Sequence, residues 1–292
     1  MRPARPTAVD PLIWACLAST WFVWGSTYLV IKFALRGFPP FFLMGSRFVV
    51  AGGLLLAFTR SRGVPFPSPT QWRNAVVIGS LMLGFGMGGT ALAEVSLDSG
   101  LVVAFIAVTP LLVVLVSLPF GVRPVRREIV GVLVGLAGVL MLTQGAGFRG
   151  SPLGLGVMVL ACSGWTLGSV FSQRLLPLAP GPSGFASEML CGGAVLLGVS
   201  ALSGEHVTLA VSGQAWLAWA YLVVFGSLIA FNAYMVLLSR ASGALATSYT
   251  YVNPIIALLL GITLGGEHVS GWEWLSAGVV LSGVVILLAN RR

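Results

Sequence analysis

The chain has 292 residues, of which 57% are hydrophobic and only 8% charged, and its mean hydropathy is +0.97. Water-soluble domains carry about 25% charged residues, so this composition excludes a soluble globular protein. The formal net charge of +8 does not point to nucleic acid, because the basic residues lie in short loops and at the chain ends rather than on one face.

Ten apolar segments follow one another with little between them. A helix of roughly 20 apolar residues crosses the ~30 Å hydrocarbon core, and the hydropathy pattern predicts spans over 11–34, 41–59, 74–95, 98–119, 127–145, 152–173, 184–203, 215–238, 242–265 and 272–290. The expected fold class is therefore all-α integral membrane. The first span is too long for a signal-peptide core and lacks a small-residue cleavage site, so it is expected to be retained. The 38 glycines suit membrane helices, where small residues let backbones approach. Cys16, Cys162 and Cys191 sit singly inside apolar segments and are expected to be core residues without disulfides. His206 and His268 lie in separate loops, which gives no ligand cluster for a metal.

Orientation follows from the basic residues. If the N-terminus is cytoplasmic, the inner side holds Arg2, Arg5, Arg60, Arg62, Arg73, Arg123, Arg126, Arg127, Arg174, Arg240, Arg291 and Arg292. The outer side holds only Arg36, Arg149 and Lys32, and Arg47 lies within span 2. Both termini are therefore expected inside a cell (inner) membrane. The acidic loop residues Asp98, Glu205, Glu267 and Glu273 then fall outside. Trp14 and Trp72 meet the inner interface and Trp216, Trp272 and Trp274 the outer one, where amphipathic rings settle.

The second five spans echo the first. Gly25-Ser26 matches Gly168-Ser169, Gly52-Gly53 matches Gly192-Gly193, and Val108-Thr109-Pro110-Leu111 matches Val252-Asn253-Pro254-Ile255. Five is odd, so the second copy must insert inverted. Two inverted halves around a midplane site are the architecture of many secondary transporters. The Gly/Pro stretch around Gly145 to Pro152 is the expected junction, dividing the chain into repeats over 1–147 and 148–292.

Trp24-Gly25-Ser26, Arg47-Phe48, the prolines Pro110 and Pro254, Gly266-Glu267, Trp272-Glu273-Trp274 and a Gly-rich last helix together resemble the EamA-type members of the drug/metabolite transporter superfamily. Where the first half should match Gly266-Glu267 it has Val122-Arg123, a departure from the acidic pattern. The resemblance implies a ten-helix carrier in which helices 1–4 and 6–9 surround a central cavity and helices 5 and 10 lie to one side. It also implies export of small metabolites, amino acids among them, including aromatic ones in some members.

Several residues carry a functional reading beside a plain one. Pro110 and Pro254, read as mid-helix prolines, free a carbonyl four residues earlier and act either as hinges or as static kinks. Thr109 and Asn253, which precede them, are placed to bond the freed backbone or a ligand. Trp21, Trp24, Tyr28, Trp165, Tyr249 and Tyr251 lie at membrane depth. Deep Trp and Tyr need partners for N–H and O–H, supplied either by a substrate path or by neighbouring helices. Arg47 holds a substrate carboxylate or snorkels outward. Glu188 is a proton site or gate, or reaches the inner interface, and Glu94 attracts substrate or belongs to a solvated loop. Gly84-Phe85-Gly86-Met87-Gly88-Gly89 matches a nucleotide-loop pattern but follows no strand. It is read as a small-residue face where Gly84 and Gly86 allow bending beside Phe85 and Met87. Gly131 and Gly135 form a packing face or a dimer face.

The chain shows no Walker A motif, catalytic triad or clustered carboxylates, which argues against an ATP-driven pump and an intramembrane enzyme. No cofactor is expected. The expected partners are a small-molecule substrate and the lipid bilayer, for a monomer or homodimer. The reading is a secondary exporter of small metabolites, amino acids and aromatic ones among them. Carriers of drugs, sugars, nucleotide sugars or lipid-linked solutes, and a passive channel, are the alternatives.

Overall fold

The computed structural model describes residues 10–97, 102, 106–144, 151–207, 211–265 and 270–288, apart from a few side chains that include those of Pro254 and Glu273. Arg2, Arg5, Asp98, Arg149, Gly266, Glu267, His268, Arg291, Arg292 and the junction 145–150 lie outside the described residues.

Among the described residues ten principal helices follow in order. They are α1 (Pro11–Leu35), α2 (Pro40–Ser61), α3 (Pro69–Ala93), α4 (Thr109–Ser117), α5 (Arg126–Thr143), α6 (Pro152–Arg174), α7 (Pro182–Leu202), α8 (Gly213–Arg240), α9 (Tyr249–Gly265) and α10 (Gly271–Leu288). A single turn, Gly243–Ala246, precedes α9. Six of the ten, α1–α3 and α6–α8, are long and apolar enough to cross a membrane by length and composition. The fold is an all-α integral membrane protein built as two inverted five-helix repeats.

The helix starts are written locally. Proline occupies the first turn of α1, α2, α3, α4, α6 and α7, where a missing N–H costs nothing. Side chains of Asp10, Ser68, Ser151, Ser212 and Ser242 accept from the first-turn amides that follow them, a capping bond worth about 1 kcal/mol each. The Ser68/Gln71 capping box explains why α3 begins at Pro69 rather than at 74 as the hydropathy predicts. Glu205 is no free loop acid. Its carboxylate accepts from Phe41 N at 3.0 Å and Phe42 N at 2.8 Å, so the α7–α8 loop caps α2 of the other repeat.

Exchange of each helix with the one five further on reproduces the contacts. The pair α3–α6 has its counterpart in α8–α1, α4–α6 in α9–α1, and α3–α7 in α8–α2, while α2–α7 and α5–α10 are their own counterparts. At the α2–α7 seam a Cβ on Gly45 would fall 3.0 Å from Gly193 O, and one on Gly193 would fall 3.0 Å from Gly45 O. Gly52 faces Ala186 and Leu190, and Gly45 faces Gly193 and Leu197, so the two helices run antiparallel, as inversion requires. The α5–α10 pair is as close: a Cβ on Gly283 would fall 2.5 Å from Gly135 N, and Gly131 faces Leu287. The Gly131/Gly135 face is therefore covered within the molecule, and its reading as a dimer face fails.

Symmetry extends to an irregularity that hydropathy does not show. Residues Ser80–Gly88 of α3 and Leu222–Phe231 of α8 are π-helical, at matched positions in the two repeats. Such stretches widen the helix and misalign backbone carbonyls. The glycine-rich segment read as a bending face in α3 is this stretch.

Gly193→Leu is expected to destabilise the purified protein by about 3 kcal/mol or to prevent folding, because the seam has no room for a side chain. Gly198→Leu, one turn further on with nothing within 4 Å of a Cβ, should unfold like the wild type within about 0.5 kcal/mol. Thermal unfolding of both variants in detergent tests this.

Candidate functional site

A cavity opens among α1, α3, α4, α6 and α9. Thr27, Tyr28 and Ile31 form its α1 wall, Met87 and Thr90 come from α3, Thr109 from α4 and Cys162 from α6. Its floor is aromatic. Trp24, Trp165 and Tyr249 line it, and Tyr234 of α8 completes a cluster of four rings. The Trp24 centroid lies 5.6 Å from Trp165, 5.3 Å from Tyr234 and 4.6 Å from Tyr249. Tyr234 lies 5.1 Å from Trp165 and 5.7 Å from Tyr249. Edge-on and tilted geometries dominate, the arrangement favoured by ring quadrupoles.

Hydrogen bonds fix these rings. Trp165 Nε1 donates to Tyr234 Oη at 3.1 Å, and Ser169 Oγ lies 2.9 Å from the same hydroxyl. Trp24 Nε1 donates to the Gly226 carbonyl at 3.2 Å, within the π-helical stretch of α8. A Cβ on Gly86 would lie 3.1 Å from the Trp165 ring, so a glycine admits the indole there.

Rings of the quartet line the smaller of two spaces. The cavity holds only about 50 Å³, room for a few waters. Past the rings, toward the face where α1 begins and α6 and α8 end, lies a vestibule of about 910 Å³. Cys16 of α1 and Ser172 of α6 line it, about two turns from Trp24 and Trp165 on the same helices. Arg174 and Arg240 stand at its mouth.

The predicted residues divide cleanly. Trp24, Tyr28, Gly86, Met87, Thr109, Trp165 and Tyr249 all reach the cavity. The Asn253 amide is buried beside the Tyr28 hydroxyl and otherwise without a partner among the described residues. Trp21 instead donates to Ser248 Oγ at 3.1 Å, securing the break before α9. Tyr251 packs on Gly135 and donates to Val132 O at 3.2 Å, turned toward α5 and away from the cavity. Phe85 is 54% exposed, because Gly86 takes the inward position and sends its neighbour to the outer surface. Gly84 faces Val195 of α7. Pro110 lies in the first turn of α4, just after the break at 107–108 that follows helical residue 106. Pro254 falls inside α9.

The membrane charges are buried. Arg47 is 0% exposed and does not snorkel. Its Nε donates to Ser227 Oγ at 3.2 Å, and its guanidinium carbon lies 4.5 Å from the Phe48 ring centroid. Nη1 has no partner. It stands behind Gly226, the residue whose carbonyl holds Trp24, so it backs the cavity wall without lining the cavity. Glu94 is buried near Lys32 and Tyr28 at the far rim of the cavity, not in a solvated loop. Glu188 is buried on α7, with neither oxygen hydrogen-bonded among the described residues.

Tyr234 is the central residue that sequence reading missed. It lies six positions before Arg240, where an aromatic residue reads as an interface anchor. The matched π-helical stretch in α8 was the signal that the helix there turns inward.

A cavity lined from both of two inverted repeats, in a bundle of apolar membrane-length helices, fits a membrane transporter. The profile of the EamA-like transporter family matches twice, over residues 11–144 and 152–289. The chain is 41% identical over 280 residues to the uncharacterized inner membrane transporter YedA of Escherichia coli (strain K12), covering 96% of this chain and 91% of that protein. It is 23% identical over 286 residues to a probable amino-acid metabolite efflux pump of Salmonella typhimurium, covering 92% of each. A solved structure titled "Crystal structure of protein" superposes with a TM-score of 0.80 at 22% identity, over 97% of this chain and 99% of that one. The chain belongs to the EamA-like transporter family.

Tyr234→Phe is expected to leave the Trp165 N–H unpartnered, at a cost of about 1–3 kcal/mol. Thermal unfolding should report that loss, and sided labelling of Cys162 from the Arg174/Arg240 face should become faster.

Proposed function

We propose that this protein exports small metabolites, amino acids with aromatic side chains among them, by alternating access around the aromatic-floored cavity. The observation that carries the reading is the floor itself: Trp24, Trp165 and Tyr249 face the cavity beside the hydroxyls of Tyr28 and Thr109. Flat apolar groups stack on such rings, and ammonium groups are attracted to their faces. The hydroxyls and the Asn253 amide supply hydrogen bonds for a zwitterion. Arg47, one residue behind the wall, is the cation that a carboxylate would meet when the π-helical stretch of α8 shifts.

Sites for ligands of this size enclose about 300–1,000 Å³. The cavity is far smaller, so transport requires the repeats to rock and the rings to part. The basic residues put the Arg174/Arg240 face in the cytoplasm, and the vestibule on that face then becomes the cytoplasmic entrance of an exporter in the inner membrane. The name of the Salmonella relative, a probable amino-acid metabolite efflux pump, agrees with this direction. No cation lines the cavity among the described residues, which disfavours phosphate-bearing nucleotide sugars.

The test is efflux from proteoliposomes preloaded with labelled tryptophan, phenylalanine or threonine. Saturable release, accelerated by unlabelled amino acid outside, is expected. Release no faster than from empty liposomes, by protein shown to be folded, would remove amino acids as substrates. Trp24→Ala and Trp165→Ala should each slow that release about tenfold at unchanged expression, the loss of a stacking contact of about 1.5 kcal/mol.

A further inference from the structure

Glu188 has no role in the cavity, yet its position demands one. It is 0% exposed, and both carboxyl oxygens lack a hydrogen-bond donor among the described residues. The groups around it can be named helix by helix. The titratable groups near enough to couple to it electrostatically are the Tyr234 hydroxyl of α8 and, on its own helix, the Cys191 thiol. From α3 the contact is the Gly79 backbone, and from α2 the seam around Gly52. The one cation buried in α2 is Arg47, about 7–8 Å further along the seam by helix rise, and its Nε is directed at Ser227. Ser169 of α6 is linked to this group only through the Tyr234 hydroxyl that it bonds. Arg174 and Arg240 stand further out, at the vestibule mouth. No ion pair reaches Glu188 among the described residues.

A carboxylate with no donor and no counter-charge cannot be sequestered in an apolar bundle, so the group is held in its neutral form. Arg47 is different, since a guanidinium stays charged and is held by a hydroxyl and an aromatic face instead. Glu188 also sits at a junction. One turn before it, Phe185 lines the vestibule, as does Asn232, whose Oδ1 is buried and unpartnered. On its other side stands Tyr234, the hydroxyl that locks the aromatic quartet. Parting the rings toward the vestibule brings water to the carboxyl, which can then ionise by passing its proton to that water.

We propose that Glu188 is a proton-binding site, occupied while the quartet is closed and emptied to water when the vestibule face opens. The proposal rests on the alternating-access reading above and adds the proton as a second ligand. The closed state binds the proton more tightly than the open one, so raising the pH on the vestibule side favours opening and lowering it favours closure.

The test needs no transported substrate, so it stands apart from the choice of amino acid. Cys162 lines the cavity beyond the quartet and serves as a native reporter in the full-length protein carrying Cys16→Ala and Cys191→Ala. A membrane-impermeant thiol reagent is applied from the vestibule side of oriented vesicles between about pH 6 and 8.5, and rates are expressed as the ratio to Glu188→Gln under the same conditions. That ratio cancels the ionisation of the thiol itself. It is expected to climb about tenfold per pH unit while a single proton is being released. Glu188→Asp, which keeps a carboxyl, should retain the slope with a displaced midpoint, and Glu188→Ala should abolish it. A ratio that stays constant with pH, or a slope that survives in Glu188→Ala, would overturn the proposal. If the substituted proteins fail to fold, the infrared carboxyl band of Glu94→Gln protein decides. A protonated carboxyl band at neutral pH that disappears as the pH is raised supports the site, and its absence overturns it.

Discussion

The backbone contact between α2 and α7 is the constraint on which the rest of the protein depends. Gly45 and Gly193 leave each other's carbonyls within 3.0 Å of where a side chain would begin, so these two helices act as one antiparallel unit. In lipid there is little hydrophobic gain from bringing helices together, and association rests on close van der Waals contact between small residues. The seam supplies that contact at the line where the repeats meet. It also sets where the buried charges go. Arg47 and Glu188 both leave the seam for the surrounding helices, one toward the π-helical stretch of α8 and the other toward Tyr234. Under the alternating-access proposal, a rigid seam with polar groups on its flanks would let the outer helices shift while those groups keep fixed reference positions.

Much of this architecture was legible in the chain. Ten apolar segments, the matched Gly52-Gly53 and Gly192-Gly193 pairs, and the matched Thr109-Pro110 and Asn253-Pro254 pairs give the repeat, because period and spacing in an apolar sequence leave few other folds. Deep tryptophans also announced the cavity, since an indole N–H at membrane depth must find a partner. Helix rotation was not legible. Phe85 and Gly86 are neighbours, and only the π-helical turn and the approach of Trp165 decide which one faces inward. Tyr251 and Tyr249 share a helix start, yet one supports α5 and the other forms the gate. Hydropathy carries no information on that choice, because lipid-facing and cavity-facing positions are both apolar here.

The buried charges show the same limit from another side. An arginine in a membrane span reads as a ligand for anions or as a snorkelling side chain. Arg47 is neither in this conformation: its charge is spread over Ser227 Oγ and the Phe48 face. Local sequence could not reveal that solution, because Ser227 lies 180 positions away in the chain. The pairing comes from the pseudo-twofold relation that sets α2 against α8 as it sets α7 against α3.

Symmetry of the frame and asymmetry of the side chains together decide which way the cavity faces. The gate draws on α1, α6, α8 and α9, and its symmetry counterpart would draw on α6, α1, α3 and α4. At the α3 level that corresponds to Tyr234 stand Thr90, Ala91 and Leu92, and Thr90 lines the cavity with its hydroxyl turned back to Gly86 O at 2.8 Å. Small and aliphatic residues at that level cannot build a second stack of rings. The backbone therefore offers two equivalent places to close, and among the described residues the second has no ring on α3 to match Tyr234. The larger space, about 910 Å³, lies at the Arg174/Arg240 face, and the cavity lined by the rings is the smaller, about 50 Å³. A carrier that rocks between two faces needs the two closures to differ little in energy. Under the alternating-access proposal the aromatic cluster favours one of them, and the proton proposed at Glu188 would restore that balance by leaving before the rings part.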